Sequence, residues 1–366
     1  MSKLPVIYIV FICILLFEKT NSFGQQFLDT ASFSSVVKPG DNFFLYADGK
    51  WFDTVRIPST ETSTGSFSDL AKKSRAKLKY ILDSVADGKQ TPGSIEQKTG
   101  DFYASGIDTA TIEKRGYDPV KPYFKQIDLI ENTAGIMQFV TAMQKQGDPV
   151  LFNFYIGSDE KNSAVNIAAF SQGGIGLPDR DYYFKNDPST QAVVNAYKNY
   201  IQTLFTLTGD DSVSAAQKTS LVYELEKDIA ASHRTNIELR DPQSNYHKLL
   251  VADINKQMSA FDWDATLNEL GLHVDSINLQ QPNFYSKIDT LLKTVPLSTW
   301  KAYLRFHVLS SYAFLLSSDF INAQFAYAKI LTGQSKIKPR WERMVITTDN
   351  YLGEALGQLY VKKIFP

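Results

Sequence analysis

Hydrophobic periodicity constrains this chain more than any single motif, because its helical spacing is interrupted only once. From Asp187 to the C-terminal end, apolar residues recur at helical spacing. Val193, Val194, Tyr197, Tyr200, Ile201, Leu204 and Phe205 form one stripe, stopped by Gly209. Within 215–233 a second stripe turns Leu221, Leu225, Ile229 and Ala230 inward. Further helical runs cover 254–258, 264–270 (closed by Gly271), 285–294, 298–316, 320–331 and 341–361. Ahead of them, 66–85 is strongly amphipathic, with Phe67, Leu70, Ala71, Leu78, Ile81, Leu82 and Val85 on one face. Only 150–156 and 164–170 follow the alternate pattern, with the turn-rich segment 157–163 between them, so a hairpin is predicted there. The expected fold class is mainly α: a multi-helix lobe with one small β-hairpin.

Local signals punctuate this pattern. Asp41 is expected to cap a short helix carrying Phe43, Phe44 and Tyr46, with Gly49 ending it and Trp51, Phe52 and Ile57 packing beyond. Ser94 and Gln97 are spaced as a capping box, and Asp118-Pro119 opens another helix. The run 133–146 carries Ile136, Met137, Val140 and Met143. There is no fixed-period repeat and no low-complexity tract.

At 366 residues the chain is long enough for two cores or for one core with a subdomain. Aromatic residues make up 13%, enough for a large ring-rich interior. The net charge of −1, from 38 basic and 39 acidic residues, leaves no footprint for nucleic acid. Lys3 followed by the apolar run 4–17 reads as a secretory signal rather than a comfortable membrane span. A signal peptide over 1–24 is expected, cut near Gly24 or Gln25, then a disordered linker over 25–38 and one domain over 39–366. The product is then exported, periplasmic or extracellular, with no stable membrane span after cleavage; an uncleaved N-terminal anchor is the alternative. Cys13 lies inside the apolar run, so the mature chain has no thiol for disulfides, metal or catalysis.

A search for reactive groups finds little. Two imidazoles at i and i+4 with a neighbouring Glu would mark a zinc helix. The four histidines here, His233, His247, His273 and His307, have neither that spacing nor that Glu. His233 and His247 straddle a turn at Arg240-Asp241-Pro242. No nucleophile elbow, Ser-x-x-Lys set or phosphate loop is present. Catalytic residues and metal ligands are therefore expected to be none, no cofactor is assigned to these residues, and substrate-binding residues are unknown.

One stretch stands out, Gly176-Leu177-Pro178-Asp179-Arg180-Asp181-Tyr182-Tyr183-Phe184. As chemistry it is a turn: Pro178 fixes φ, Asp179 bonds its own backbone, and Arg180 sits between two carboxylates it is expected to pair with. As a pattern it resembles the signature of the N-terminal part of the neprilysin-like zinc metalloendopeptidases. Other blocks resemble that family in the same order: Asp41-Asn42-Phe43-Phe44, Gly49-Lys50-Trp51, Gly65-Ser66-Phe67, and Tyr103 to Asp108. Glu238 to Pro242 with Tyr246 follows, although His247 replaces the family's usual Asn. Arg340-Trp341 and Leu352 to Val361 complete the series. The resemblance covers Pro39 to Pro366.

What it implies is a helical lobe that, with a zinc-bearing lobe, encloses a chamber admitting short peptides. Catalysis there is metal-assisted amide hydrolysis with a Glu base. The family's His-Glu-x-x-His helix, third ligand and substrate clamp lie downstream of the matching blocks, so no residue here inherits a catalytic role. Zinc belongs to the complete family enzyme. The expected partners are peptide substrates and a missing catalytic zinc domain, and the chain alone is expected to be inactive. The end at Phe365-Pro366 reads as cut short, with Trp341, Met344, Val345, Leu352, Leu356, Leu359 and Tyr360 wanting a covering lobe. A stand-alone helical binding or scaffold module derived from the lobe is the alternative.

Overall fold

The computed structural model describes residues 30–365. The expected signal peptide, Cys13 and the start of the expected linker lie outside them. The chain divides into two units, Met1–Pro58 and Ser59–Pro366.

In the first unit a helix, α1 (Phe43–Thr54), is capped by Asn42, whose side chain accepts from the Leu45 amide at 3.0 Å, rather than by the expected Asp41. Gly49 does not end it. The helix runs through this buried glycine, and a Cβ there would stand 3.4 Å from Ser34. Residues 30–34 lie across it: the Ser34 amide donates to the Tyr46 carbonyl at 2.7 Å, and the Phe33 and Tyr46 rings are 5.1 Å apart. Phe52 and Ile57, expected to pack, are more than half exposed.

The second unit begins with α2 (Ser66–Ala86), α3 (Ile95–Ile107) and the short α4 (Thr109–Arg115). Then come α5 (Lys121–Asp128) and α6 (Thr133–Lys145). Strands β1 (Phe152–Asp159) and β2 (Asn162–Gln172) form the predicted antiparallel hairpin. After the signature, α7 (Pro188–Leu207) and α8 (Ser212–Ala230) are each opened by an aspartate, Asp187 and Asp211, whose side chains accept from first-turn amides. Two short strands, β3 (Lys248–Leu250) and β4 (Ser276–Leu279), flank α9 (Val251–Gln257) and α10 (Trp263–Glu269). The chain closes with α11 (Pro282–Thr294), α12 (Leu297–Tyr312), α13 (Ser318–Thr332) and α14 (Arg340–Ile364). The mainly helical expectation holds, and the hairpin proves to be half of a four-stranded sheet ordered β1-β2-β4-β3. β4 joins β2 in parallel through Ala169 opposite Asn278 and Phe170 opposite Leu279.

Many of the aromatic residues meet in one interior. Phe170, Phe261, Trp263 and Tyr285 are fully buried, with Phe261 stacked on Trp263 at 4.2 Å and Phe170 edge-on to Trp263 at 5.2 Å. This cluster belongs to a main core built from α5–α13 and the sheet.

A second layer consists of α2, α3 and α14. Leu82, Tyr103, Met344, Val345 and Leu356 form one buried cluster, and Ile81, Val85 and Leu359 form another. Two expectations change here. Phe67 and Leu70 are exposed, because the buried apolar residues of α2 all lie in its C-terminal half. The apolar stripe on α14 is covered in part by the chain's own α2 and α3, which bury Met344, Val345, Leu356 and Leu359, while Trp341, Leu352 and Tyr360 stay partly exposed. On α8, Leu221 is also exposed rather than inward. No helix among the described residues is long and apolar enough to cross a membrane.

Candidate functional site

The signature joins β2 to α7 through a tight turn whose residues are each fixed for a visible reason. Gly176 is required by space: a Cβ there would collide with the Tyr197 hydroxyl. Gly174, just upstream, has φ +77°, and a Cβ would stand 2.7 Å from both the Leu151 carbonyl and the Tyr303 hydroxyl. Asp179 caps the turn, accepting from the Asp181 amide at 2.8 Å and from Asn236 Nδ2 at 3.0 Å. Of the two carboxylates flanking Arg180, only Asp181 pairs with it. Its guanidinium stands 3.8 Å from Asp181 alone, while Asp181 holds Lys185 at 2.9 Å. Arg180 instead covers the Phe184 ring at 5.4 Å.

Beneath the turn sits a buried carboxylate, Glu226 of α8. The Tyr183 hydroxyl donates to it at 2.8 Å, and the Tyr197 hydroxyl reaches both of its oxygens at 2.8 Å. His307 Nε2 stands 2.9 Å away, and against this acceptor it carries the hydrogen. Tyr183 in turn accepts from the Leu177 amide at 3.2 Å. One acid thereby ties the signature, α7, α8 and α12 together. Burial pushes the Tyr183 and Tyr197 hydroxyls well above the ordinary tyrosine pKa, and the charge of Glu226 adds to it.

Above the turn is a polar hollow of about 310 Å³, lined among others by Gln172, Arg180, His233, Arg234, Asn236 and His307. Arg234 is held by the Ser244 carbonyl at 2.6 Å and Asn245 Oδ1 at 3.0 Å, and its amide donates to Gln172 at 2.8 Å. His233 Nε2 lies 3.0 Å from the Gly173 carbonyl. Burial lowers its pKa to about 4, the Gly173 contact opposes this, and the charge of Arg180 adds to the lowering. The hollow thus presents the guanidinium groups of Arg180 and Arg234, suited to carbonyl or carboxylate groups, beside the Asp179 carboxylate. No hydroxyl or thiol nucleophile is among the residues that line it.

The four histidines do not converge. His233 and His307 border this hollow, His247 contacts the Gln280 carbonyl at 3.2 Å beside β4, and His273 is exposed. Among the described residues no group of three His, Cys, Asp or Glu side chains could hold a metal ion. The described residues therefore offer no three-ligand set of the kind that holds a zinc ion. Sequence reasoning missed Glu226 and the equally buried Asp159, which accepts from the Tyr246 hydroxyl at 2.7 Å and from Lys248 at 3.0 Å. Those hydrogen bonds lower the Asp159 pKa to about 2. Glu226 did carry a signal: it stands four residues after Val222 and three before Ile229, on the inward stripe of α8.

Known proteins place this architecture. Endothelin-converting enzyme 1 of Cavia porcellus is 27% identical over 351 residues, covering 91% of this chain and 46% of that protein. Neprilysin of Mus musculus is 26% identical over 362 residues, covering 90% and 48%. The zinc metalloprotease Zmp1 of Mycobacterium tuberculosis, solved in complex with an inhibitor, superposes with a TM-score of 0.86 at 26% identity, over 92% of this chain and 51% of that one. The chain spans about half the length of the curated relatives it matches. The family model Peptidase_M13_N, peptidase family M13, matches residues 39–366, and the chain belongs to that family.

Proposed function

We propose that this chain serves as the N-terminal lobe of an exported zinc endopeptidase that hydrolyses short peptides. The lobe walls one side of the peptide chamber, limits the size of what enters and supplies apolar and polar contacts. The hydrolytic zinc is held by polypeptide other than these residues. One observation carries this reading: the family match runs from 39 to 366 while spanning only about half of relatives such as neprilysin. The hollow beside the signature supports the reading, because Arg180 and Arg234 on its wall suit peptide carbonyl or carboxylate groups.

Purified chain is expected to hold no stoichiometric zinc by metal analysis and to leave short fluorogenic peptides uncut. Chelator-sensitive cleavage by the chain alone would overturn the assignment. Export has its own test. N-terminal sequencing of protein recovered from the producing cell should begin at Gly24 or Gln25, and an intact Met1 in the recovered protein contradicts a cleaved signal.

A further inference from the structure

A second cavity, of about 470 Å³, lies away from the signature, at the seam where the α2–α3–α14 layer meets the main core. Its walls come from both sides. Met344 belongs to the buried cluster of the layer, whereas Val120 and Leu316 belong to the main core, and Phe102 and Ile112 complete an apolar lining. Its size falls within the ~300–1,000 Å³ of ordinary small-molecule sites.

Two cations line this hollow, the exposed Arg115 and the more deeply set Arg340. Arg340, the first residue of α14, is partly buried, and its Nε donates to the Gly106 carbonyl at 2.6 Å. No carboxylate among the described residues lies within ion-pair distance of it. Glu113, whose charge it feels, has its oxygens on the Ser318 amide at 2.8 Å and the Ser318 hydroxyl at 3.0 Å. Asp108, the acid on the lining, accepts from the Thr111 amide at 3.0 Å and caps α4. A half-desolvated guanidinium without a counterion, set against an apolar hollow, is matched by an anion with an apolar body.

We propose that this cavity binds a medium-chain alkyl carboxylate, its chain lying across the seam between Met344 and Leu316 and its carboxylate on Arg340. Such a ligand touches both cores at once and stabilises their packed arrangement. The site shares no residue with the signature hollow and does not depend on the reading of the chain as a peptidase lobe.

Titration calorimetry on the full chain with dodecanoate, dodecan-1-ol and dodecylammonium tests this. Dodecanoate should bind saturably at one site, with the alcohol and the amine at least about tenfold weaker, the loss expected for one charge-assisted contact. Arg340→Gln should weaken dodecanoate about tenfold and leave the alcohol unchanged. Thr111→Trp, at an exposed position on the cavity mouth, should block both and decides the matter if the arginine variant folds poorly. Absence of saturable dodecanoate binding below its self-association concentration would overturn the proposal, as would equal binding of all three ligands or undiminished binding to Thr111→Trp.

Discussion

A carboxylate taken out of water must find donors, and Glu226 finds three: Tyr183, Tyr197 and His307. Replacing it with alanine leaves those donors buried and unpaired beneath the signature. At roughly 1–3 kcal/mol for each orphaned group, Glu226→Ala should lower unfolding free energy by at least about 3 kcal/mol. Urea denaturation measures this, and a loss under about 1 kcal/mol contradicts a clasp role for the residue. His233 sets a pH limit in the same region. Its folded pKa of about 4 lies below the unfolded value near 6.5, so between those values the unfolded chain binds the extra proton. Its contribution is complete above pH 6.5 and is lost as pH falls toward 4. Stability of the wild type should therefore drop across that window more steeply than stability of His233→Gln, followed as denaturation midpoints at several pH values. Parallel profiles for the two proteins would remove His233 as the cause.

Helix α3 approaches α2 where a side chain has no room. A Cβ at Gly100 would stand 2.7 Å from the Val85 carbonyl, a backbone atom that cannot swing aside. Gly100→Ala must therefore separate the two helices, despite alanine's better helix propensity, and overpacking of this kind costs about 1–3 kcal/mol. A thermal melt at or above the wild-type midpoint would show that the pair can yield. The elements themselves were legible because helical stripes and capping residues are local: Ser94 and the stripe of α7 needed no tertiary information. Partnerships between elements were not. β4 is four residues long and pairs with β2 across more than a hundred residues of chain, so its run Ser276–Leu279 carries too little pattern to mark a strand. The α14 stripe was visible, but its partners, α2 and α3, lie at the other end of the unit. In the site, the signature residues were visible as a motif, whereas Glu226 was hidden as one acid among several on an ordinary helix.

Helix α14 returns after the whole main core to complete a layer begun by α2 and α3, so the unit closes only when its last segment arrives. Met344, Val345, Leu356 and Leu359 supply partners for Ile81, Leu82, Val85 and Tyr103, and Glu342 pairs with Arg75 at 3.1 Å. The main core buries Trp263, Trp300, Tyr285 and Phe261 without help from α14. Ending the chain at Pro339 removes those four apolar partners, each worth about 1.5–3 kcal/mol when buried, from the layer but not from the core. The layer should then open as a separate unit. Limited trypsin digestion should cut quickly at Lys72, Lys73, Arg75, Lys77 or Lys79 while 117–332 stays protected, with mass spectrometry assigning the fragments. Protection of α2 equal to that of the full chain would mean that α3 alone suffices to hold it. Equal loss of protection throughout 117–332 would mean that the two packing centres unfold as one.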